Sequence, residues 1–193
     1  MKEMDYIGDY FEMEQKTWEL LDKAAIQVVL DALMETYQTG GTIYIFGNGG
    51  SASTATHMAN DFNKGISEFV DQKFNVYCLN DNIATMLSIA NDIDYEEIYR
   101  FQLQGKLHPQ DLVIGIRGSG NSGNVINAIA YAKEQGVKTV GFCGFDGGKL
   151  KSLADCSFYV PLNNMKVVED LHLMMVHLLM YAVERILGIE TAC

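Results

Sequence analysis

The sequence is short of positive charge. Lysine and arginine number 14 against 25 aspartates and glutamates, for a net charge of −11. A broad phosphate-neutralising surface is therefore excluded and nucleic acid is not expected as a partner, although a small local pocket for an anion remains compatible. Cysteine is scarce as well: Cys78, Cys143, Cys156 and Cys193 are scattered, with no C-x-x-C pair. That argues against an extracellular disulfide framework and for reduced core thiols in the cytoplasm. The opening MKEMDYIGDY is acidic and lacks the charged-then-apolar pattern of a secretory signal. Long hydrophobic runs are missing too. The longest, LHLMMVHLLMYAV from Leu171 to Val183, is short for a bilayer and contains two histidines, so a buried helix is expected and no membrane association. No stretch rich in Pro, Gly or Ser divides the chain.

What is present suffices for one large core: 193 residues, 48% hydrophobic, are expected to form a single domain over residues 1–193. Residues 1–40 read as helical, with Trp18, Leu21, Ala25, Val28, Val29, Ala32 and Leu33 at helical spacing. Tyr10, Phe11 and Trp18 suggest an earlier turn or short helix. Residues 41–193 read as an α/β core. Strands are expected at Thr42–Phe46, Phe74–Leu79, Asp111–Ile116, Lys138–Gly144 and Cys156–Leu162. Helices are expected near Ser51–Asn63, Ile83–Ala90, Tyr95–Leu107, Asn124–Gln135 and Lys149–Ala154, with a long closing helix at Lys166–Leu187. Strands alternating with helices, several of them continuously apolar, predict a three-layer fold around a five-stranded parallel sheet.

Two expected strand-to-helix loops are rich in Gly, Ser and Asn: GNGGSAS (Gly47 to Ser53) and RGSGNSGN (Arg117 to Asn124). Ligands of open parallel sheets bind beyond the carboxyl ends of the strands, where small residues admit the ligand and helix N-termini offer free N–H groups. Gly47, Gly49 and Ala52 also satisfy the dinucleotide pattern G-x-G-x-x-G/A, with Asp81 near the end of the second strand as its acid. A dinucleotide site gives no reason for a second Ser- and Asn-rich loop, whereas one phosphate on a polyhydroxylated body does. Ordinary tight βα turns also use these residues.

His57 and Asp61 lie four apart and share a helix face. That spacing suits a His–carboxylate pair, two metal ligands, or a surface pair without function. On the closing helix, His172 and His177 sit among Leu and Met, so at least one should be a core histidine with a satisfied hydrogen bond. Glu169 and Asp170 suit the dipole of a helix start. Glu169 and His177 are separated by about 12 Å of helix rise and would meet at one site more easily through two copies of the chain.

Several ordered motifs, GNGGSASTATH, ANDIDYEEIY, GSGNSGNVINAIAYAKEQG, GFDGGKL, ADCSFYVP and VVEDLHLMMVH, together resemble the sugar isomerase (SIS) domain family, and within it the phosphoheptose isomerases. The resemblance covers nearly the whole chain. It implies a flavodoxin-like SIS fold, assembled as a homotetramer with sites between subunits, and conversion of sedoheptulose 7-phosphate to the aldose heptose 7-phosphate through an enediol. By position, Asn48, Gly49, Gly50, Asn91 and Asp92 would contact substrate. Ser119 and Ser122 with Arg117 and Gly118 would form the phosphate cup, with Ser51 beside it. His57, Asp61, Glu169 and His177 fall where one zinc ion binds in members that use it, Glu169 facing the substrate as well. Asp61 and His177 would be the acid–base pair. No nucleotide cofactor is implied.

Three residues depart from the family pattern. Asp61 stands where the isomerases carry Glu, Glu169 where they carry Gln, and Arg117–Gly118 where they carry Ser–Thr. The first shortens the carboxylate by a methylene, the second adds negative charge, and the third exchanges two hydroxyls for a cation. The competing function is a non-catalytic SIS module that binds a phosphosugar or a protein partner, similar to the SIS protein that associates with the bacterial replication initiator or to a sugar-sensing regulator.

Overall fold

The computed structural model describes residues 5–190, so Cys193 and the first residues of MKEMDYIGDY lie outside the description. Two helices lead: α1 (Tyr6–Glu19) and α2 (Lys23–Gln38). The chain breaks between them because the Asp22 carboxylate accepts from the Ala24 and Ala25 N–H groups and restarts the helix. The expected short helix around Tyr10 and Phe11 is thus a full α1 that includes Trp18.

The elements that follow are β1 (Ile43–Gly47), α3 (Gly50–Asn60), β2 (Val76–Cys78), α4 (Ile83–Asp92), α5 (Arg100–Leu103), β3 (Leu112–Arg117), α6 (Gly123–Glu134), β4 (Lys138–Cys143), α7 (Gly148–Leu153), β5 (Cys156–Tyr159) and α8 (Met165–Ile186). All pairings are parallel and the strand order is β2-β1-β3-β4-β5. Side chains alternate between two cores. Ile43, Ile45, Ile114, Ile116 and Phe142 pack under α2, α3 and α8, while Tyr44, Phe46 and Val113 pack under α4, α5, α6 and α7. Every residue of β1 is buried, which explains why it reads as continuously apolar. No described helix is long and apolar enough to cross a membrane.

Two helices differ from their sequence reading. The run expected over Tyr95–Leu107 is a single 3₁₀ turn (Tyr95–Glu97) followed by the short α5, because Gln104 leaves helical space at ψ 127°. The run expected to end at Asn63 leaves α-geometry earlier, in a π-helical turn at Asp61–Ile66. Asn63 is drawn to the sheet edge instead: its amide donates to the Val76 carbonyl at 2.7 Å and accepts from the Val76 N–H at 2.9 Å. π turns inside helices often mark functional positions, and this one starts at Asp61.

Candidate active site

The strand order reverses at β1, whose neighbours β2 and β3 lead away in opposite directions. The loops after β1 and β3 therefore open at the switch point, where ligands of such sheets bind. In the first, Gly49 adopts φ 60° and ψ −125°, a conformation that an L side chain resists, and α3 begins without a side-chain cap. The Ser51, Ala52 and Ser53 N–H groups bond back to the Asn48 and Gly49 carbonyls, while the Ser51 hydroxyl is buried and has no hydrogen-bond partner. In the second, Ser122 precedes α6 without capping it, so its hydroxyl too is left for another partner. Arg117 ends β3 with its Nε buried and unpartnered. Gly118 is pressed against Met165 and Val168 of α8. The Ser119 carbonyl accepts from the Asn121 amide at 2.9 Å.

A buried polar hub joins the two loops. Asn80, just past β2, accepts from the Gly47 N–H (3.1 Å) and donates to the Gly47 carbonyl (2.9 Å), extending the β1–β2 ladder with a side chain. The Tyr99 hydroxyl accepts from the Asn80 amide (2.9 Å) and faces both the Gly47 carbonyl (2.5 Å) and Asn48 Oδ1 (2.9 Å). Asn48 then pairs with Asn124 of α6 in both directions, at 2.8 and 3.1 Å. Burial pushes the Tyr99 hydroxyl up to about 12, so it stays protonated. Nothing in the local sequence marks Asn80, Tyr99 or Asn124 as members of a site. The available signal was that Tyr99 and Asn124 fall inside two of the motifs that carry the family resemblance.

Chemistry-bearing groups converge one helix length away. α8 runs alongside α3 in the same direction: its Glu169 carboxylate lies against Gly50 at the start of α3, and its His177 meets His57 near the end. His57 Nε2 lies 2.9 Å from His177 Nε2 and 3.2 Å from Asp61 Oδ2, and His177 Nε2 lies 3.8 Å from the same oxygen. Asp61 is only 13% exposed, against 43% for His57 and 54% for His177. The histidines and Asp61 thus meet within one chain, so no second copy is needed for that contact. Glu169 is not in this cluster: two turns earlier on α8, it fronts the N-terminus of α3. Asn91 and Asp92 bond to each other on the exposed last turn of α4, and Tyr95, three residues on, is what reaches Asn48. Asp81, the acid a dinucleotide site would use, accepts from Thr56 at 3.1 Å.

The donor set fits a metal ion. Two Nε2 atoms 2.9 Å apart are compatible only if one carries the hydrogen or both lone pairs face a shared cation. Asp61 Oδ2 is buried with no hydrogen-bond partner, which a cation would satisfy. Two imidazoles and a carboxylate are a zinc-type catalytic set that leaves one position open. His172, in contrast, is a core residue. It is wedged between Phe142 and Phe158, its Nε2 lies 3.3 Å from the Cys143 carbonyl, and burial holds it down at about 4. A groove of 780 Å³ between α3 and α4 runs from His57 past Thr56 to Asn80, linking the cluster to the hub.

The sequence model of the SIS domain matches residues 9–144. A phosphoheptose isomerase of Helicobacter pylori (strain P12) is 37% identical over 174 residues, covering 90% of each chain. The fold is shared with two solved phosphoheptose isomerases. The Francisella tularensis structure has a TM-score of 0.87 at 24% identity, covering 96% of this chain and all of that one. The Neisseria gonorrhoeae structure has a TM-score of 0.83 at 23% identity, covering 93% and 97%. With its switch-point loops, its parallel order and this likeness along most of its length, the chain belongs to the SIS-domain family.

Proposed function

We propose that the protein is a ketose–aldose isomerase that converts sedoheptulose 7-phosphate to heptose 7-phosphate. The observation that carries this reading is the convergence of His57, Asp61 and His177 beside a groove that both His57 and the hub residue Asn80 line. The relatives named phosphoheptose isomerase support the substrate. Ser51, Ser119, Ser122 and Arg117 receive the phosphate, with the backbone at Gly49, Gly50 and Gly118. Asn48 binds the sugar, joined by Asn91 and Asp92.

Isomerisation moves one proton between adjacent carbons and another between their oxygens, with no change in atom count. Asp61 takes the C1 proton of the ketose at a carboxylate oxygen and returns it to C2. With no ion bound, His177 at Nε2 exchanges the hydroxyl proton between O1 and O2 as the enediol forms and collapses. Asp61 is one methylene shorter than the Glu of the family pattern, yet its Oδ2 still reaches His57 at 3.2 Å. His57, Asp61 and His177 would hold a zinc ion, whereas Glu169, two turns away on α8, would join them only from a second copy of the chain. When bound, the ion would supply Lewis-acid polarisation of the substrate carbonyl.

The same reading has residues 1–193 act as one domain, since α1, α2 and α8 close over a common core. It also has a cytoplasmic homotetramer. The free thiols of Cys78, Cys143 and Cys156 suit a reducing compartment, and exposed Ile83 and Leu87 on α4 with Leu173, Met174 and Tyr181 on α8 suit subunit contacts. The test is incubation of the purified protein with sedoheptulose 7-phosphate, with and without zinc. An aldose product is expected, and its absence under both conditions overturns the reading. A phosphosugar that raises the melting temperature without conversion would favour the non-catalytic module instead.

A further inference from the structure

Tyr99 and Asn124 are almost fully buried, at 0% and 2% exposure, and apart from the bond that the Asn124 amide oxygen accepts from the Val125 N–H at 2.9 Å, their polar atoms are spent on the two ligand loops. They converge on one side chain. Asn48 Oδ1 faces three donors: the Tyr99 hydroxyl at 2.9 Å, the Asn124 amide at 3.1 Å and the Tyr95 hydroxyl at 3.4 Å. Its Nδ2 spends one hydrogen on Asn124 Oδ1 at 2.8 Å. An amide nitrogen has two hydrogens, so one N–H of Asn48 is left over, with its direction fixed by the other contacts. Asn48 is half-buried and stands between the two ligand loops.

The other end of the hub is anchored to the sheet. Asn80 binds both backbone groups of Gly47, the last residue of β1, and places its remaining amide hydrogen on Tyr99. The Tyr99 ring stacks on Phe46 of β1 at a centroid distance of 4.7 Å, so the hydroxyl cannot drift away from Gly47 and Asn48. The hydroxyl has a single hydrogen and two acceptors within reach, Gly47 O and Asn48 Oδ1. Its position therefore couples the end of β1 to the Asn48 amide. Asn124 extends that coupling to the first turn of α6, where the second loop ends.

We propose that Tyr99 is a positioning residue for substrate capture. Through Asn80, Asn48 and Asn124 it sets the separation of the two ligand loops and aims the spare Asn48 N–H at the sugar. The proposal rests on the isomerase reading for the identity of the ligand, but its principal measurement is equilibrium binding. Losing one hydrogen bond of ordinary strength corresponds to roughly tenfold in affinity. Tyr99→Phe keeps the ring stack and removes only the hydroxyl.

The experiment compares wild type, Tyr99→Phe, Asn48→Ala and the double variant. It measures KM and kcat for sedoheptulose 7-phosphate, and by calorimetry the Kd of the carbonyl-free heptitol 7-phosphate. Tyr99→Phe is expected to raise KM and Kd together by about tenfold, with kcat falling by a smaller factor, and to add little to Asn48→Ala because both act through one side chain. Tyr37→Phe is the control. It removes a hydroxyl bonded to the Gln72 carbonyl at 2.8 Å, far from the loops, and should lower the melting temperature without moving Kd. A Tyr99→Phe Kd within about twofold of wild type, or strictly additive losses in the cycle, would overturn the proposal. Binding without turnover by wild type would sink the isomerase reading while leaving this one standing. Failure of wild type to bind heptitol 7-phosphate would overturn both.

Discussion

The two ends of the α3–α8 pair do different work although they are built from the same helices. At the end where α3 begins, Gly49 and Gly50 bring the backbone close to the opening, Ser51 offers a hydroxyl, and the Glu169 carboxylate of α8 lies against Gly50. At the other end, His57, Asp61 and His177 crowd titratable groups into one small space. The first end pairs a loop cradle with one carboxylate, and the second clusters two imidazoles with a carboxylate. The rise of α3 separates the two ends by about 16 Å.

Substitutions should separate the two ends. The largest effect is expected from Asp61→Asn, which removes the proposed proton acceptor: kcat should fall by about a thousandfold or more while heptitol 7-phosphate binding, read by calorimetry, changes little. A comparable loss of binding would mean that the two ends are not functionally distinct. Next comes Gly120→Ala in the second loop. Gly120 has φ 65°, and a Cβ there would sit 2.1 Å from the Gly147 carbonyl oxygen. Left-handed strain plus that overlap should cost about 3 kcal/mol in urea unfolding and weaken phosphate binding.

On the buried face of α8, between the two ends, His172 gives a pH signature of stability separable from catalysis. Its folded-state pKa of about 4 lies below the ordinary histidine value of 6.5, so the unfolded chain binds the extra proton between those values. Stability is fully present above pH 6.5 and lost as pH falls towards 4, by about 2 kcal/mol between pH 7 and pH 5. In His172→Phe that part of the difference should vanish when unfolding is measured at both pH values, while any repacking cost cancels. The smallest effect is expected at the cradle. Glu169→Gln removes a negative charge beside the α3 N-terminus and should tighten binding of heptitol 7-phosphate by about threefold at low salt. Weaker binding would show instead that the Glu169 carboxylate is itself a ligand-holding group.

Much of the fold was legible because it follows from local rules. The buried strands β1 and β3 announced themselves as apolar runs, and each loop's glycines and serines marked its turn. The helix breaks were less legible. The π turn depends on Asn63 finding Val76, a partner thirteen residues away, and no local preference for that bond is written into DFNKGI. Of the candidate site, the pairing of His57 with Asp61 follows from helical spacing alone. The arrival of His177 depends on how α8 lies along α3, which side-chain packing across the core decides.

By itself, the sequence determined the parallel α/β class, the two ligand loops and the residue types needed for proton transfer, because strand burial, turn chemistry and helical periodicity are encoded over a few neighbouring positions. Only the tertiary structure decided that α3 and α8 run side by side. That placement puts His177 against His57 and Asp61 within one chain and sets Glu169 at the opposite end, away from the cluster. It also decided that Asn80, Tyr99, Asn48 and Asn124 form one network, since these residues span separate elements and each is an ordinary polar residue until burial makes its hydrogen bonds obligatory.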